Sequence, residues 1–165
     1  MRYWPQVKPF SRVYLPRYKS KIVKDNRSVP VQHGQYYYFN ETIGEQEYAS
    51  IYRSTNVKGD NPELLLDINE LAKAYDYFAI GDVEVSPNAK LMAYSQDTLS
   101  RRIYTIKVKN LETGELLSDE LIGTQGGVIW ANDNKTLYYV KKDPVSLLGT
   151  QVFRHTLGTP QEQDE

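Results

Sequence analysis

The feature that most narrows what this chain can become is an internal repeat. Val85-Ser86-Pro87-Asn88-Ala89-Lys90-Leu91-Met92-Ala93-Tyr94 lines up with Trp130-Ala131-Asn132-Asp133-Asn134-Lys135-Thr136-Leu137-Tyr138-Tyr139, a spacing of roughly 45 residues. A later stretch repeats as well: Ile106-Lys107-Val108-Lys109-Asn110-Leu111 falls on Val152-Phe153-Arg154-His155-Thr156-Leu157. Looking backwards, Glu41-Thr42 and Tyr48 stand where Asp97-Thr98 and Tyr104 stand in the next unit, so the hairpin at Tyr36 reads as an earlier copy. Three copies fit, the first and last incomplete. Four short strands in a period of this length are the signature of a β-propeller blade. The competing reading is a β-sandwich whose hairpins match by chance.

Local patterns agree with sheet. Tyr36-Tyr37-Tyr38-Phe39, a polar turn centred on Gly44, and Tyr48-Ala49-Ser50-Ile51-Tyr52-Arg53 read as two strands joined by a loop. Ile103 to Lys109 alternates, which puts Tyr104, Ile106 and Val108 on one face, the buried one. Pro87 presets a turn in which Asn88 accepts left-handed geometry, and Gly114 sits where a positive φ is needed before Leu116-Leu117 opens another strand. Ile68, Leu71 and Ala72 have the spacing of one helical turn, too short to be more than a connector. Fourteen tyrosines against four phenylalanines suit half-buried strand faces, where the ring packs and the hydroxyl stays wet. The expected organisation is an irregular arm over residues 1–34, carrying Pro5, Pro9, Pro16 and Pro30, and then a partial propeller over 35–165 with blades near 35–80, 81–125 and 126–165.

The residues argue against chemistry performed by this chain alone. G-x-S-x-G, the nucleophile turn of α/β hydrolases, is absent, and Gly126-Gly127 reads as a structural turn leading into a strand. His33 and His155, the two histidines, lie far apart and read as surface residues; no spacing supplies three metal donors. Asp82, Asp97, Asp119, Glu120, Asp133 and Asp143 read as turn carboxylates that cap backbone amides. Asp60-Asn61-Pro62-Glu63 and Asn132-Asp133-Asn134 lack the full calcium-loop pattern and are assigned to turns. Arg101-Arg102 and Lys141-Lys142 belong at solvated strand edges. The expectation is no catalytic residue, no cofactor and no metal. A net charge of −1 gives no field to draw the chain onto nucleic acid or an anionic membrane, and no apolar run approaches a bilayer span. The absence of cysteine and of an apolar leader fits a soluble, cytoplasmic protein.

Particular residues also resemble a known family. Phe78-Ala79-Ile80-Gly81-Asp82-Val83-Glu84-Val85-Ser86-Pro87, Ala93-Tyr94-Ser95-Gln96-Asp97, Lys109-Asn110-Leu111-Glu112-Thr113-Gly114-Glu115, Val128-Ile129-Trp130-Ala131-Asn132-Asp133 and Gln151 to Thr159 follow in one order. They resemble the propeller of oligopeptidase B, also called protease II, in the prolyl oligopeptidase family of serine peptidases. The resemblance covers roughly residues 35 to 160. It implies a seven-bladed propeller that limits access to an α/β-hydrolase domain, whose Ser-Asp-His triad cleaves short peptides after lysine or arginine. No position here matches a member of that triad, and the leader before Gln35 departs from the family's N-terminal segment. The resemblance thus implies the propeller portion of such a peptidase, serving substrate gating and size selection and inactive alone, with short peptides as the intact enzyme's partners. The alternative is a stand-alone or self-associating β module, because two or three blades leave open sheet edges.

Overall fold

A computed structural model of the protein describes residues 25–165 and shows antiparallel strands throughout, with one short α-helix and one 3-10 turn at Gln161–Gln163. Most of the expected N-terminal arm lies outside the described residues. Its last part lays two short strands, β1 (Asn26–Arg27) and β2 (Val31–His33), along one edge of β3 (Tyr36–Thr42). Pro30, which has no amide hydrogen to give a ladder, falls in the gap between them. β3 pairs with β4 (Ser50–Ser54) and β4 with β5 (Glu63–Leu66), which completes the first sheet. The hairpin expected at Tyr36 is therefore present. The expected connector follows as α1 (Ile68–Ala72), started by Asp67, whose side chain accepts from the Glu70 amide at 3.1 Å.

The second sheet has six strands in sequence order: β6 (Ala79–Val85), β7 (Leu91–Asp97), β8 (Tyr104–Asn110), β9 (Leu116–Trp130), β10 (Thr136–Lys142) and β11 (Gly149–Thr156). It is two blades joined by one strand. The first half of β9 pairs with β8 and the second half with β10; Thr124 is the handover, opposite both Tyr104 and Lys141. Burial along β9 alternates on Asp119 and Leu121, then on Thr124, Gly126, Val128 and Trp130. The alternation slips by one residue at Gly123, whose φ of 76° few other residues adopt, so the strand presents the correct face to each blade in turn.

The repeat read from the sequence is a repeat in space. Ser86 donates its amide to the Leu91 carbonyl, and Ala131 donates to Thr136, both at 2.9 Å. Inside these turns the left-handed residues are Ala89 (φ 59°) and Asn134 (φ 60°). Asn88 is not the left-handed position. Its Oδ1 accepts from Ser86 Oγ at 2.8 Å and from the Lys90 amide at 3.1 Å, which caps the turn and passes the positive φ to the next residue.

Two apolar cores lie between the blades. Leu65, Leu66, Phe78, Met92, Tyr94 and Leu111 fill the space between the first and second, joined by Tyr38, Ile51 and Val83 at the margin. Ala93, Ile106, Val108 and Leu121 meet Val128, Trp130, Leu137 and Tyr139 between the second and third. Met92 and Ala93 are neighbours in β7, point to opposite faces and enter different cores. Each fully buried aliphatic side chain here, such as Ile106 or Leu137 at 0 % exposure, contributes about 1.5–3 kcal/mol.

Candidate functional site

A groove of ≈ 810 Å³ lies between the edge formed by β2 and β3 on the first blade and β6 on the second. Val31, His33 and Tyr38 line one wall; Ile80, Asp82 and Glu84 line the other. Glu84 stands on β6, the outermost strand of the second sheet among the described residues, and lines the groove. Burial pushes this carboxyl above its usual range, the adjacent Asp82 carboxylate adds to the rise, and His33 opposes it. Asp82, expected in a turn, lies within β6: its Oδ2 accepts from the Val128 amide at 3.2 Å and its Oδ1 from the Val83 amide at 2.9 Å. The wall is thus fastened to the third blade. Trp130 Nε1 donates to the Glu84 carbonyl at 3.0 Å, and the Asn88 amide donates to Asn134 Oδ1 at 2.8 Å.

Arg53 fastens the other wall. Its guanidinium reaches both oxygens of Glu63 at 2.7 and 3.0 Å, donates to the Ala89 carbonyl at 2.7 Å and lies 4.3 Å from the centre of the Tyr36 ring. Burial alone would lower its pKa, but the hydrogen bonds and charge of Glu63 outweigh it and raise it, so the arginine stays charged.

The hydroxyls of Ser50, Ser54, Ser86 and Ser95 bond to the Asp67 carboxylate, the Asp60 carbonyl, Asn88 and the Asp82 amide respectively. Neither histidine bonds a serine among the described residues. Gly126-Gly127 lies within β9 and is not a turn. A Cβ on Gly126 would come 2.8 Å from the Tyr104 ring, and one on Gly81 also 2.8 Å, so this ring lies against two glycine backbones. Among the described residues no group of three or more His, Cys, Asp or Glu side chains is placed to hold a metal.

Of the carboxylates expected in turns, Asp97, Asp133 and Asp143 do cap them. Asp97 accepts from Leu99 and Arg102, Asp133 from Lys135 and Thr136, and Asp143 from Val145 and Ser146. The Thr136 hydroxyl, with the turn amides, holds the Asp133 carboxyl below its usual range; the Ser146 amide and hydroxyl do so for Asp143. Glu120 is on β9, exposed, and pairs with Lys107 at 3.2 Å. Asp119 is also on β9, but buried, where it meets His155. His155 is fully buried, which corrects the surface reading. The alternation Leu117, Asp119, Leu121 and the partnership of Phe153 with His155 on one face of β11 were the available signals. Arg101 and Arg102 are exposed, and Lys142 donates to the Arg102 carbonyl, which agrees with a solvated edge. Among the described residues no helix is long and apolar enough to cross a membrane.

Comparison with known proteins fits this geometry. Dipeptidyl aminopeptidase BI of Pseudoxanthomonas mexicana is 36% identical over 173 residues, which cover 96% of this chain and 24% of the relative. Protease 2 of Moraxella lacunata is 30% identical over 152 residues, covering 88% and 22%. The structure of oligopeptidase B from Leishmania major superposes with a TM-score of 0.89 at 27% identity, over 96% of this chain and 23% of that one. The chain therefore spans about a quarter of the length of the curated relatives it matches. A family model for the N-terminal β-propeller domain of prolyl oligopeptidase matches residues 2–165, and the chain belongs to that family as part of its propeller.

Proposed function

We propose that this chain is the leading portion of the propeller of an oligopeptidase B-like serine peptidase, which cleaves short peptides after lysine or arginine in the cytoplasm. Its work is to wall off the active site and admit substrates by size; alone it is catalytically inert. The observation that carries this reading is the outward face of the third blade. In the second blade, Ala93, Ile106 and Val108 are completely buried beneath the third. At the repeat-equivalent surface of the third blade, Ile129, Tyr138 and Val152 are 66%, 39% and 70% exposed. An apolar face at the position where the preceding blade is covered suits a further blade of the same kind.

Acyl transfer needs a nucleophile, a base and an oxyanion hole within mutual reach. The purified chain is therefore expected to show no turnover of a fluorogenic arginyl amide. Turnover that follows the chain's mass through purification and is abolished by a serine-directed phosphonate would overturn the proposal. Replacing the matching segment of dipeptidyl aminopeptidase BI with this chain tests gating: the hybrid should hydrolyse short peptides and leave folded proteins intact. The name of that relative favours release of dipeptides as a second reading of the parent reaction, and sequencing the hybrid's products distinguishes the two. The same bare face supports self-association as an alternative, for which native mass spectrometry of the chain would give a defined oligomer.

A further inference from the structure

Asp119 on β9, His155 on β11 and Asp164 in the closing segment form one chain of buried polar groups. His155 Nε2 lies 3.0 Å from Asp119 Oδ1 and His155 Nδ1 lies 2.7 Å from Asp164 Oδ1, with all three side chains at 4% exposure or less. Each carboxylate already receives another donor: Asp119 accepts from the Gly158 amide, and Asp164 Oδ2 from the Tyr139 hydroxyl at 2.7 Å. Gln161 closes the ring of contacts, donating to the Tyr139 oxygen at 3.2 Å and exchanging bonds with the Ile122 backbone at 3.0 Å.

An ionised carboxylate can only accept hydrogen bonds, so both ring nitrogens must donate for the cluster to be satisfied. A ring with one proton turns a lone pair toward a buried carboxylate oxygen, an arrangement that is repulsive and has no water to relieve it. Three strands and the closing segment meet here. Asp119 comes from the end of the second blade, His155 and Tyr139 from the third, and Asp164 from the stretch that returns to pair with β11. In that pairing Arg154 donates its amide to the Glu165 carbonyl at 2.7 Å, and Glu165 donates to Arg154 at 3.2 Å.

We propose that the Asp119–His155–Asp164 cluster is a proton-operated latch. With the ring doubly protonated it fastens the closing segment, residues 160–165, to the third blade and the outer strand of the second blade to the third; loss of a ring proton releases both. The groups facing the imidazole are Asp119 from β9, Asp164 from the closing segment and, behind Asp164, Tyr139 from β10. Burial, and further the Asp164 carboxylate, push the Tyr139 phenol up against the opposing effect of Gln161, so it stays a neutral donor. The charged neighbours on the opposite faces, Arg154 with Glu165 and Lys107 with Glu120, are paired with each other. The doubly protonated ring is the form whose two hydrogen bonds the carboxylates satisfy, so the latch is closed while both ring nitrogens donate and opens when a ring proton is lost.

Amide hydrogen exchange on the whole chain tests this, corrected for intrinsic rates, from about pH 5 to about pH 8, the interval in which histidine ordinarily titrates. Protection at Arg154, Gly158 and Glu165 should fall at least about tenfold across the interval, the scale of one hydrogen bond to a charged group, while Tyr52 in the first blade holds steady. His155→Gln should give low protection at those amides with no pH dependence. Asp164→Asn, a milder change, should lower protection in the acidic half and flatten the profile. The nitrogen chemical shifts of His155 should report a doubly protonated ring at the acidic end. Flat protection in the unaltered chain, or an unchanged pH profile in His155→Gln or Asp164→Asn, would overturn the latch.

Discussion

Replacing Arg53 should uncouple the first blade from the second, and the size of the effect can be worked from its contacts. The side chain is 7% exposed, whereas Glu63 is 48% exposed, so truncation to alanine strands the two partners unequally. Glu63 rehydrates and loses little. The Ala89 carbonyl loses a charged donor at 2.7 Å, a loss of about 1.5–3 kcal/mol. The Tyr36 ring loses a cation stacked at 4.3 Å, worth about 1 kcal/mol more. A full buried-pair penalty of about 3–5 kcal/mol does not apply, because one partner reaches water. Arg53→Ala should therefore destabilise the chain by about 3 kcal/mol. Arg53→Lys keeps the charge but not the planar fork that reaches Glu63 and Ala89 together, and should cost about 1–2 kcal/mol. Urea unfolding followed by far-UV circular dichroism gives both values. Because the joint holds one sheet to another, Arg53→Ala should also lower the m-value or split the transition as the first blade unfolds separately. A shift below about 1 kcal/mol with the m-value unchanged, or an Arg53→Lys variant equal to the unaltered chain, would refute the assignment of Arg53 as the pin.

Two further outcomes follow from the same packing. Gly126→Ala sets a methyl 2.8 Å from the Tyr104 ring on a backbone with φ of 106°, and should cost about 2 kcal/mol or more by urea unfolding, with Tyr104→Leu in the same chain recovering the steric share but not the backbone share. Glu84 has a raised carboxyl pKa in the fold, so its contribution is fullest below the unfolded carboxyl's range and is lost as pH rises through the folded value. Glu84→Gln should then raise the urea midpoint at neutral pH, with the gain shrinking toward acid pH; an equal gain at both would mean the titration is not the cause.

Much of the architecture was legible because the repeat carries its own check. The turn at Ser86 and the turn at Ala131 share hydrogen bonds and a left-handed residue at the same place. The alternation in β8 puts Ile106 and Val108 in the core as expected. Less legible were features set by the meeting of two blades. Asp82 and Asp119 read as turn carboxylates and His155 as a surface residue, because their partners stand on another blade or on the closing segment. Gly126-Gly127 has the composition of a turn, yet the strand runs straight through it, and Gly126 makes room for the Tyr104 ring. The exchange of faces at Gly123 was hidden for a related reason: a one-residue slip makes one long strand read as two short ones.

The burial patterns also record where each blade stands in the stack. A sheet covered on both sides has no polar face, and β7 accordingly lacks alternation, with every residue from Met92 to Asp97 buried. β10 has a covered neighbour on one side only, and there Leu137 and Tyr139 are buried while Tyr138 is exposed. The outer face of the first blade is finished differently. Phe39 stacks on Tyr52 and is closed over by Arg27 at 4.6 Å, which is held in turn by Glu41 and the Gly59 carbonyl, so Phe39 is only 3% exposed. Around Phe39 a charged side chain serves as the cover; at Ile129, Tyr138 and Val152, exposed at 66%, 39% and 70%, the described residues supply no such cover. The two ends of the stack are thus chemically unlike, and a partner sheet, whether a further blade or a second copy, has an apolar reason to settle on the third blade and a weaker one to settle on the first.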